Sequence, residues 1–129
     1  MRNTPWFFIL GNHDHYGNAQ AQIDYTFKSN RWILPSFRYT INVKTDMGKT
    51  NLISILMIDS IIFCGNTDKD DALINIEPKY KTKNDKIISE EYYNNVEKEI
   101  KQIGESKVSY FIVSGHFPGK FKILNANLE

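Results

Sequence analysis

The chain has 129 residues, a formal net charge of +1 and a hydrophobic content of 41%, which fits one globular domain with a buried core. The near balance of 16 basic and 15 acidic residues excludes an obvious basic footprint for nucleic acid. Because Cys64 is the single cysteine, an intrachain disulfide and a zinc site made from several cysteines are also excluded. No apolar stretch approaches the roughly 20 residues that a membrane-spanning helix needs.

The first apolar run, Trp6–Leu10, is shorter than the roughly 7–15 apolar residues of a secretory signal. Because this run is continuous and stops at Gly11, it predicts a strand buried on both faces. A fold that opens this abruptly on a core strand is expected to lack its beginning. Residues 19–29 then predict a short helix whose apolar side chains include Ile23 and Phe27.

Two more strands are predicted in the middle of the chain. Residues 37–44 alternate apolar and polar side chains, which is typical of a half-exposed strand. A turn at 46–49 leads into the apolar run 52–58, which predicts a buried strand ending at Asp59. Residues 66–86 carry scattered charge and are predicted to form a long surface loop. A calcium site on the aspartates of this loop is the weaker alternative, because EF-hand spacing is absent.

The C-terminal part predicts a second helix and a last strand. Ser89 is predicted to cap this helix, because two glutamates follow it in what would be the first turn. The buried face of the helix is predicted from four apolar residues at helical spacing, Tyr92, Val96, Ile100 and Ile103. Gly104 is predicted to be the C-cap, and residues 110–113 predict a third buried strand.

Buried strands that alternate with helices predict an α/β layered fold, in which ligands gather beyond the carboxyl ends of the strands. Polar groups come directly after three of these strands, at Gly11–Asp14, at Asp59 and at Gly115–His116. Amide oxygen and imidazole together suit a borderline metal, and an aspartate beside a histidine can fix its tautomer. The residue types alone leave two interpretations about even: a metal-dependent hydrolytic site, or polar residues satisfied at strand ends.

Two blocks, Gly11–Asp14 and Gly115–Pro118, resemble signature blocks of the calcineurin-like metallophosphoesterases. Stretches between them are similar to the small purple, or tartrate-resistant, acid phosphatases, in matching order over residues 5–118: His15–Asn18, Ala21–Ile23, Arg31–Trp32, Pro35, Tyr39, Met57–Asp59 and Cys64–Asn66. The resemblance implies part of a four-layer α/β/β/α sandwich that lacks N-terminal and C-terminal portions. Residues 1–118 would then be a partial metallophosphoesterase domain, and residues 119–129 a tail without resemblance.

The resemblance also implies a centre of two metal ions, iron paired with iron, zinc or manganese, that hydrolyses phosphate monoesters. Two such ions can clamp both the attacking and the leaving oxygen of a phosphoryl displacement. Asn12 and His116 match two ligands of the same ion. His13 matches the histidine that contacts the phosphate and helps to protonate the leaving oxygen, which makes it the expected catalytic residue.

Three further residues are expected to support this centre. Asp14 would orient His13, while His15 and Asp59 would give polar support close by. The expected partner is a phosphate monoester, with no nucleic acid and no membrane segment in this chain. By resemblance, the compartment would be secreted, lysosomal or vacuolar.

The family pattern contains ligand blocks that these 129 residues do not contain. These are an upstream aspartate block, a Gly-Asp block with a bridging aspartate and a tyrosine ligand, and a downstream Gly-His-x-His block. The chain is therefore expected to cover the middle of a longer gene, and by itself to bind metals weakly and show negligible phosphatase activity. Three alternatives stay open: a phosphodiesterase or nuclease of the same superfamily, a non-catalytic scaffold relative, or a chain with no folded function of its own.

Overall fold

The structure is a computed structural model that describes residues 4–45, 48, 50–64 and 83–117. Within these residues, strands and helices follow one another in the order β1 (Trp6–Phe7), α1 (Ala19–Asp24), β2 (Trp32–Ile33), β3 (Arg38–Lys44), β4 (Asn51–Ile58), α2 (Ser60–Phe63), α3 (Lys83–Glu105) and β5 (Tyr110–Ser114). Short 3₁₀ turns at Asn12–Tyr16 and Tyr25–Phe27 flank α1. The described chain is therefore an α/β mixture, as the sequence predicts.

The strands form two sheets. β1 pairs in parallel with β2, and a three-stranded sheet has the order β3-β4-β5. In the larger sheet β3 runs antiparallel to β4, whereas β5 runs parallel to it. The turn between β3 and β4 contains Gly48 at a φ of 66°, a left-handed conformation that glycine adopts without strain. This β3–β4 hairpin confirms the two strands predicted at 37–44 and 52–58.

β1 is shorter and more exposed than the sequence predicts. The expected strand covered Trp6–Leu10 and was buried on both faces, but only two residues pair, and Trp6 and Phe7 are 59% and 46% exposed. The ladder ends after Phe7 pairs with Ile33, because β2 also has only two residues. Leu10 is buried, so the apolar run begins as an exposed strand and ends as a segment that packs in the core.

The predicted helix at 19–29 is present, but its apolar face is only partly correct. α1 begins at the N-cap Asn18, whose side chain accepts a hydrogen bond from the backbone N–H of Ala21. Ile23 is buried, whereas Phe27 is 83% exposed. The α-helix tightens into a 3₁₀ turn at Tyr25, so residues four apart no longer share one face.

α3 confirms the predicted apolar stripe and corrects both predicted ends of the helix. Tyr92, Val96 and Ile103 are buried against the larger sheet. The helix begins at Lys83, so Ser89 is a buried interior residue rather than its cap, and residues 83–86 are helical rather than loop. Gly104 also lies inside the helix. The left-handed residue that follows the helix end is Lys107, at φ 55°.

β5 lies where the sequence predicts a third strand, but it is not buried on both faces. Tyr110 and Ile112 are 64% and 47% exposed, while Phe111 and Val113 pack against the core. Alternate side chains of a strand point to opposite faces, and within the described residues only one face of β5 is covered. The continuous apolar run 110–113 therefore comes from a half-buried strand.

Two clusters of buried side chains make up the described core. The larger one joins β4, α2 and α3 around Leu56, Ile58 and Val96. The smaller one is centred on Leu10, Ile23 and Leu34. Phe37 packs against both clusters and so connects them.

Several predictions fall outside the described residues. They concern residues 66–82 of the predicted loop with its aspartates, and the tail at 119–129. Within the part of the chain that the structure describes, no helix is both long enough and apolar enough to span a membrane.

Candidate active site

The parallel pairing of β4 and β5 brings two chain segments to one edge of the larger sheet. Met57 near the end of β4 lies opposite Ser114, the last residue of β5. Asp59 and Gly115 therefore leave the sheet side by side, at the carboxyl ends of their strands. This is the edge where α/β folds gather their ligand-binding groups.

A 3₁₀ turn, Asn12–Tyr16, carries the first group of predicted site residues. The carboxylate of Asp14 closes this turn, because Oδ2 accepts a hydrogen bond from the backbone N–H of Gly11 at 2.8 Å. Its Oδ1 accepts another from Nε2 of Gln22 in α1, at 2.9 Å. Asp14 thus fixes the backbone that precedes His13 and ties the turn to α1.

The two sequence blocks meet where the ring of His116 lies against Gly11. A Cβ atom at position 11 would stand 3.0 Å from Cε1 and Nδ1 and 3.1 Å from Cδ2 of that ring. No side chain larger than glycine fits there unless the histidine moves. Nε2 of His116 also lies 3.0 Å from Oδ1 of Asn12, although 104 residues separate the two in sequence.

A buried pair, His15 and Asp59, connects the 3₁₀ turn to the start of α2. Nε2 of His15 lies 2.8 Å from Oδ2 of Asp59, and the two side chains are 8% and 1% exposed. Oδ1 of Asp59 accepts the backbone N–H groups of Ile61 and Ile62, so the same carboxylate is the N-cap of α2. The His15 ring also stacks on Phe37, with ring centroids 6.2 Å apart.

The next residue, Ser60, contacts the second loop. Its Oγ accepts a hydrogen bond from the backbone N–H of Phe117 at 3.0 Å. Ser60 is 5% exposed, so the acceptor side of this bond is buried. Phe117 directly follows His116, and the two aromatic rings are 4.9 Å apart.

His13 is the exposed imidazole of the first turn. Its ring stacks on Tyr16 with centroids 5.1 Å apart. This contact limits the directions in which His13 can point while leaving it open to solvent. An imidazole placed in this way can exchange a proton with a bound molecule.

Burial raises the pKa of two groups close to Asp59, the Tyr92 hydroxyl and the Cys64 thiol. The pKa of the Tyr92 hydroxyl is raised mainly by burial, against the hydrogen bond that it accepts from the backbone N–H of Asp59. Burial and the Asp59 carboxylate together raise the pKa of the Cys64 thiol. Both groups are therefore neutral near pH 7, and the thiol is a weak nucleophile there.

The sequence is similar to those of several known enzymes. No family model matches the chain. Tartrate-resistant acid phosphatase type 5 of Mus musculus is 35% identical over 119 residues, which are 92% of this chain and 33% of that protein. The same enzyme of Homo sapiens is 33% identical over 119 residues, covering 92% of this chain and 34% of the relative. This chain is related to the tartrate-resistant acid phosphatases.

The chain spans about a third of the length of the curated acid phosphatases that it matches. Its described residues supply only part of what a metal centre needs. Asn12 and His116 fit as two neighbouring ligands, because atoms bound to one ion at about 2.0–2.2 Å lie about 3 Å apart. Within residues 4–64 and 83–117, as far as they are described, no group of three or more His, Cys, Asp or Glu side chains converges to hold a metal ion.

The structure brings all six predicted site residues of this acid-phosphatase relative to one edge of the fold. Asn12 and His116 contact each other, His15 contacts Asp59, and the Asp14 carboxylate bonds to Gly11 and Gln22. Sequence reasoning missed the supporting roles of Gln22, Ser60 and Tyr92. Gln22 acts through Asp14, eight residues earlier in the chain, and Tyr92 acts through contacts distant in sequence. Ser60 bonds to a backbone N–H 57 residues away, for which no residue pattern gives a signal.

Proposed function

We propose that this chain forms part of the active site of an acid phosphatase that hydrolyses phosphate monoesters at a dinuclear metal centre. The observation that carries the proposal is the contact between the two loops. Asn12 Oδ1 and His116 Nε2 lie 3.0 Å apart, and Gly11 leaves room for the imidazole. The relationship to tartrate-resistant acid phosphatases of three species supports it.

In this proposal, Asn12 and His116 hold one metal ion, and ligands outside these 129 residues complete the pair of ions. Iron with iron, zinc or manganese suits this mixed set of oxygen and imidazole ligands. When bound, such ions supply Lewis-acid stabilisation of phosphate charge and a nucleophilic oxygen at moderate pH. The surrounding layers would form the four-layer sandwich of which the described sheets are a part.

His13 is the proposed catalytic residue of this chain. Its exposed ring faces solvent beside Asn12, where it can contact the phosphate and give a proton to the leaving oxygen. Asp14 holds the backbone around His13 through Gly11 and Gln22. The stack on Tyr16 orients the ring itself. His15 and Asp59 keep the turn on the core.

The 129-residue chain alone is proposed to be inactive. Two ligand side chains provide weak affinity, because metal binding depends on several deprotonated ligands that converge in one cavity. The whole protein would contain the remaining ligands, and its compartment would be secreted, lysosomal or vacuolar.

The test begins with the transcript that encodes residues 1–129. Its complete reading frame is expressed, and hydrolysis of p-nitrophenyl phosphate is compared with that of bis(p-nitrophenyl) phosphate, with and without a chelator. We expect chelator-sensitive hydrolysis that favours the monoester. Preference for the diester would favour a phosphodiesterase or nuclease instead. A mature transcript that encodes no further ligand blocks would contradict the dinuclear proposal and favour a scaffold role.

A further inference from the structure

The N-cap of α2, Asp59, and the first residue of that helix, Ser60, each contact one of the two candidate site loops. Asp59 bonds through Oδ2 to His15, which lies in the 3₁₀ turn of Asn12. Ser60 bonds through Oγ to the backbone N–H of Phe117, the residue after His116. Two adjacent side chains therefore hold two loops that are about a hundred residues apart in sequence.

This pair is itself fixed to the core. The backbone N–H of Asp59 donates to the hydroxyl of Tyr92 at 2.8 Å, and that hydroxyl donates to the carbonyl of Phe37. At the other end of α2, the hydroxyl of Ser89 donates to the carbonyl of Phe63 at 2.9 Å. Both ends of the short helix α2 are thus hydrogen-bonded to α3, through Tyr92 at the start and Ser89 at the end. Because α2 is held at both ends, Asp59 and Ser60 can keep the two loops that they contact at a fixed distance from each other.

We propose that Asp59 and Ser60 are positioning residues that set the separation of Asn12 Oδ1 from His116 Nε2. Neither side chain is exposed to solvent, at 1% and 5%, so neither is placed to touch a substrate. They act through His15 and Phe117 on the two loops. The use of this spacing for metal binding rests on the proposed function, whereas the spacing itself does not.

Ser60 gives the sharper test of the two, because Asp59 also caps α2. The variant Ser60→Ala removes the acceptor for Phe117 N–H and leaves the Asp59 contacts in place. Its matched control is Ser89→Ala, which removes a similarly buried serine hydroxyl of α3 that donates to the carbonyl of Phe63 at the opposite end of α2. Each deletion removes one partly buried hydrogen bond between a serine hydroxyl and a backbone group, so their effects on stability should be similar.

The measurement is NMR spectroscopy of the 129-residue chain without added metal. One Hα of Gly11 takes the direction of the absent Cβ and points at the His116 ring. It should give a cross-peak to the ring protons and a ring-current shift in the native chain. We expect Ser60→Ala to lose both signals, Ser89→Ala to keep both, and Ser60→Thr, which retains a hydroxyl, to restore them.

A second measurement reaches the metal site. Titration with Zn²⁺ alone should show about 10-fold weaker binding for Ser60→Ala, the lower end of the effect of removing a direct partner of a ligand, because Ser60 acts through Phe117. Retention of the Gly11 to His116 signals in folded Ser60→Ala overturns the proposal, as does equal loss in Ser89→Ala. Absence of the signals in the native chain also overturns it. None of these outcomes depends on phosphatase activity, so they are distinct from failure of the proposed function.

Discussion

Nε2 of His15 lies 2.8 Å from Oδ2 of Asp59, inside the protein and at the junction of the 3₁₀ turn with α2. The Asp59 carboxylate therefore makes two kinds of contact, because Oδ2 bonds to His15 and Oδ1 caps α2. Removal of one member of a buried hydrogen-bonded pair is destabilising, because the other member is left without its partner. This pair therefore connects the stability of the fold to the shape of the candidate site.

Removal of the Asp59 side chain should destabilise the chain substantially. Asp59→Ala eliminates the N-cap of α2 and leaves His15 buried without its partner, so we expect a loss of about 2–4 kcal/mol. Asp59→Asn keeps an oxygen for the cap and should lose less than half as much. Urea unfolding followed by circular dichroism measures both.

The control for this prediction is Asp24→Ala. Asp24 accepts an exposed hydrogen bond from Gln20 four residues earlier in α1. Loss of such a surface pair changes stability by about 0.5 kcal/mol or less. Equal effects of the two alanine variants would show that the His15 contact contributes nothing beyond surface pairing.

The sequence predicted most elements of the described fold because their periodicity is strong. Alternation gave β3, and the helical stripe gave the buried face of α3. It failed where tertiary context decides. Serine and glutamates inside α3 look like a helix start, and the burial of Ser89 against Phe63 depends on α2, a four-residue helix too short to show a period.

The candidate site was predictable only in its residue types. Gly-Asn-His-Asp and Gly-His identify the polar loops, but nothing local in the sequence states that they meet. Their contact follows from the parallel pairing of β4 with β5 and from the close approach at Gly11. The predicted burial of β1 failed because a continuous apolar run does not reveal which of its faces will be covered.

A side chain at position 11 should displace the His116 ring. In Gly11→Ala the new Cβ would stand 3.0 Å from atoms of the His116 ring, so the ring must shift from its position beside Asn12. We expect loss of the contact between the two loops, with chemical-shift changes at Asn12 and His116 in heteronuclear NMR spectra.

The comparison for this change is Gly17→Ala in the same region. A Cβ there meets only the carbonyl of Asp14, at 3.9 Å, which is ordinary contact. Gly17→Ala should therefore leave the His116 resonances unchanged. Similar spectra for the two variants would contradict the packing described at Gly11.

Stability should fall in alkaline solution because of Tyr39. Burial raises the pKa of its hydroxyl from 10.0 to about 12. Between these values the unfolded chain releases the proton while the folded chain keeps it, so the contribution is complete below about pH 10 and is lost as the pH rises toward 12. Urea unfolding at a series of alkaline pH values measures the decline.

The variant Tyr39→Phe separates this effect from general alkaline unfolding. It removes the hydrogen bonds to the carbonyls of Phe8 and Ile33, at a cost of about 0.5–1.5 kcal/mol near neutral pH. Its stability should then decline less steeply with pH. Some slope will remain, because burial raises the pKa of Tyr92 in the same direction. An unchanged slope would show that Tyr39 titrates normally in the folded protein.

The last prediction concerns His13 in the complete, metal-loaded protein. His13→Ala should lower kcat by about 10²- to 10⁴-fold, the usual contribution of a positioned general acid. The loss should be greater for an alkyl phosphate than for p-nitrophenyl phosphate, because p-nitrophenolate leaves readily without a proton. Lys98→Ala, an exposed change on α3, provides the matched control. An equal loss on both substrates would assign His13 to phosphate binding alone and remove the proton transfer from the proposed mechanism.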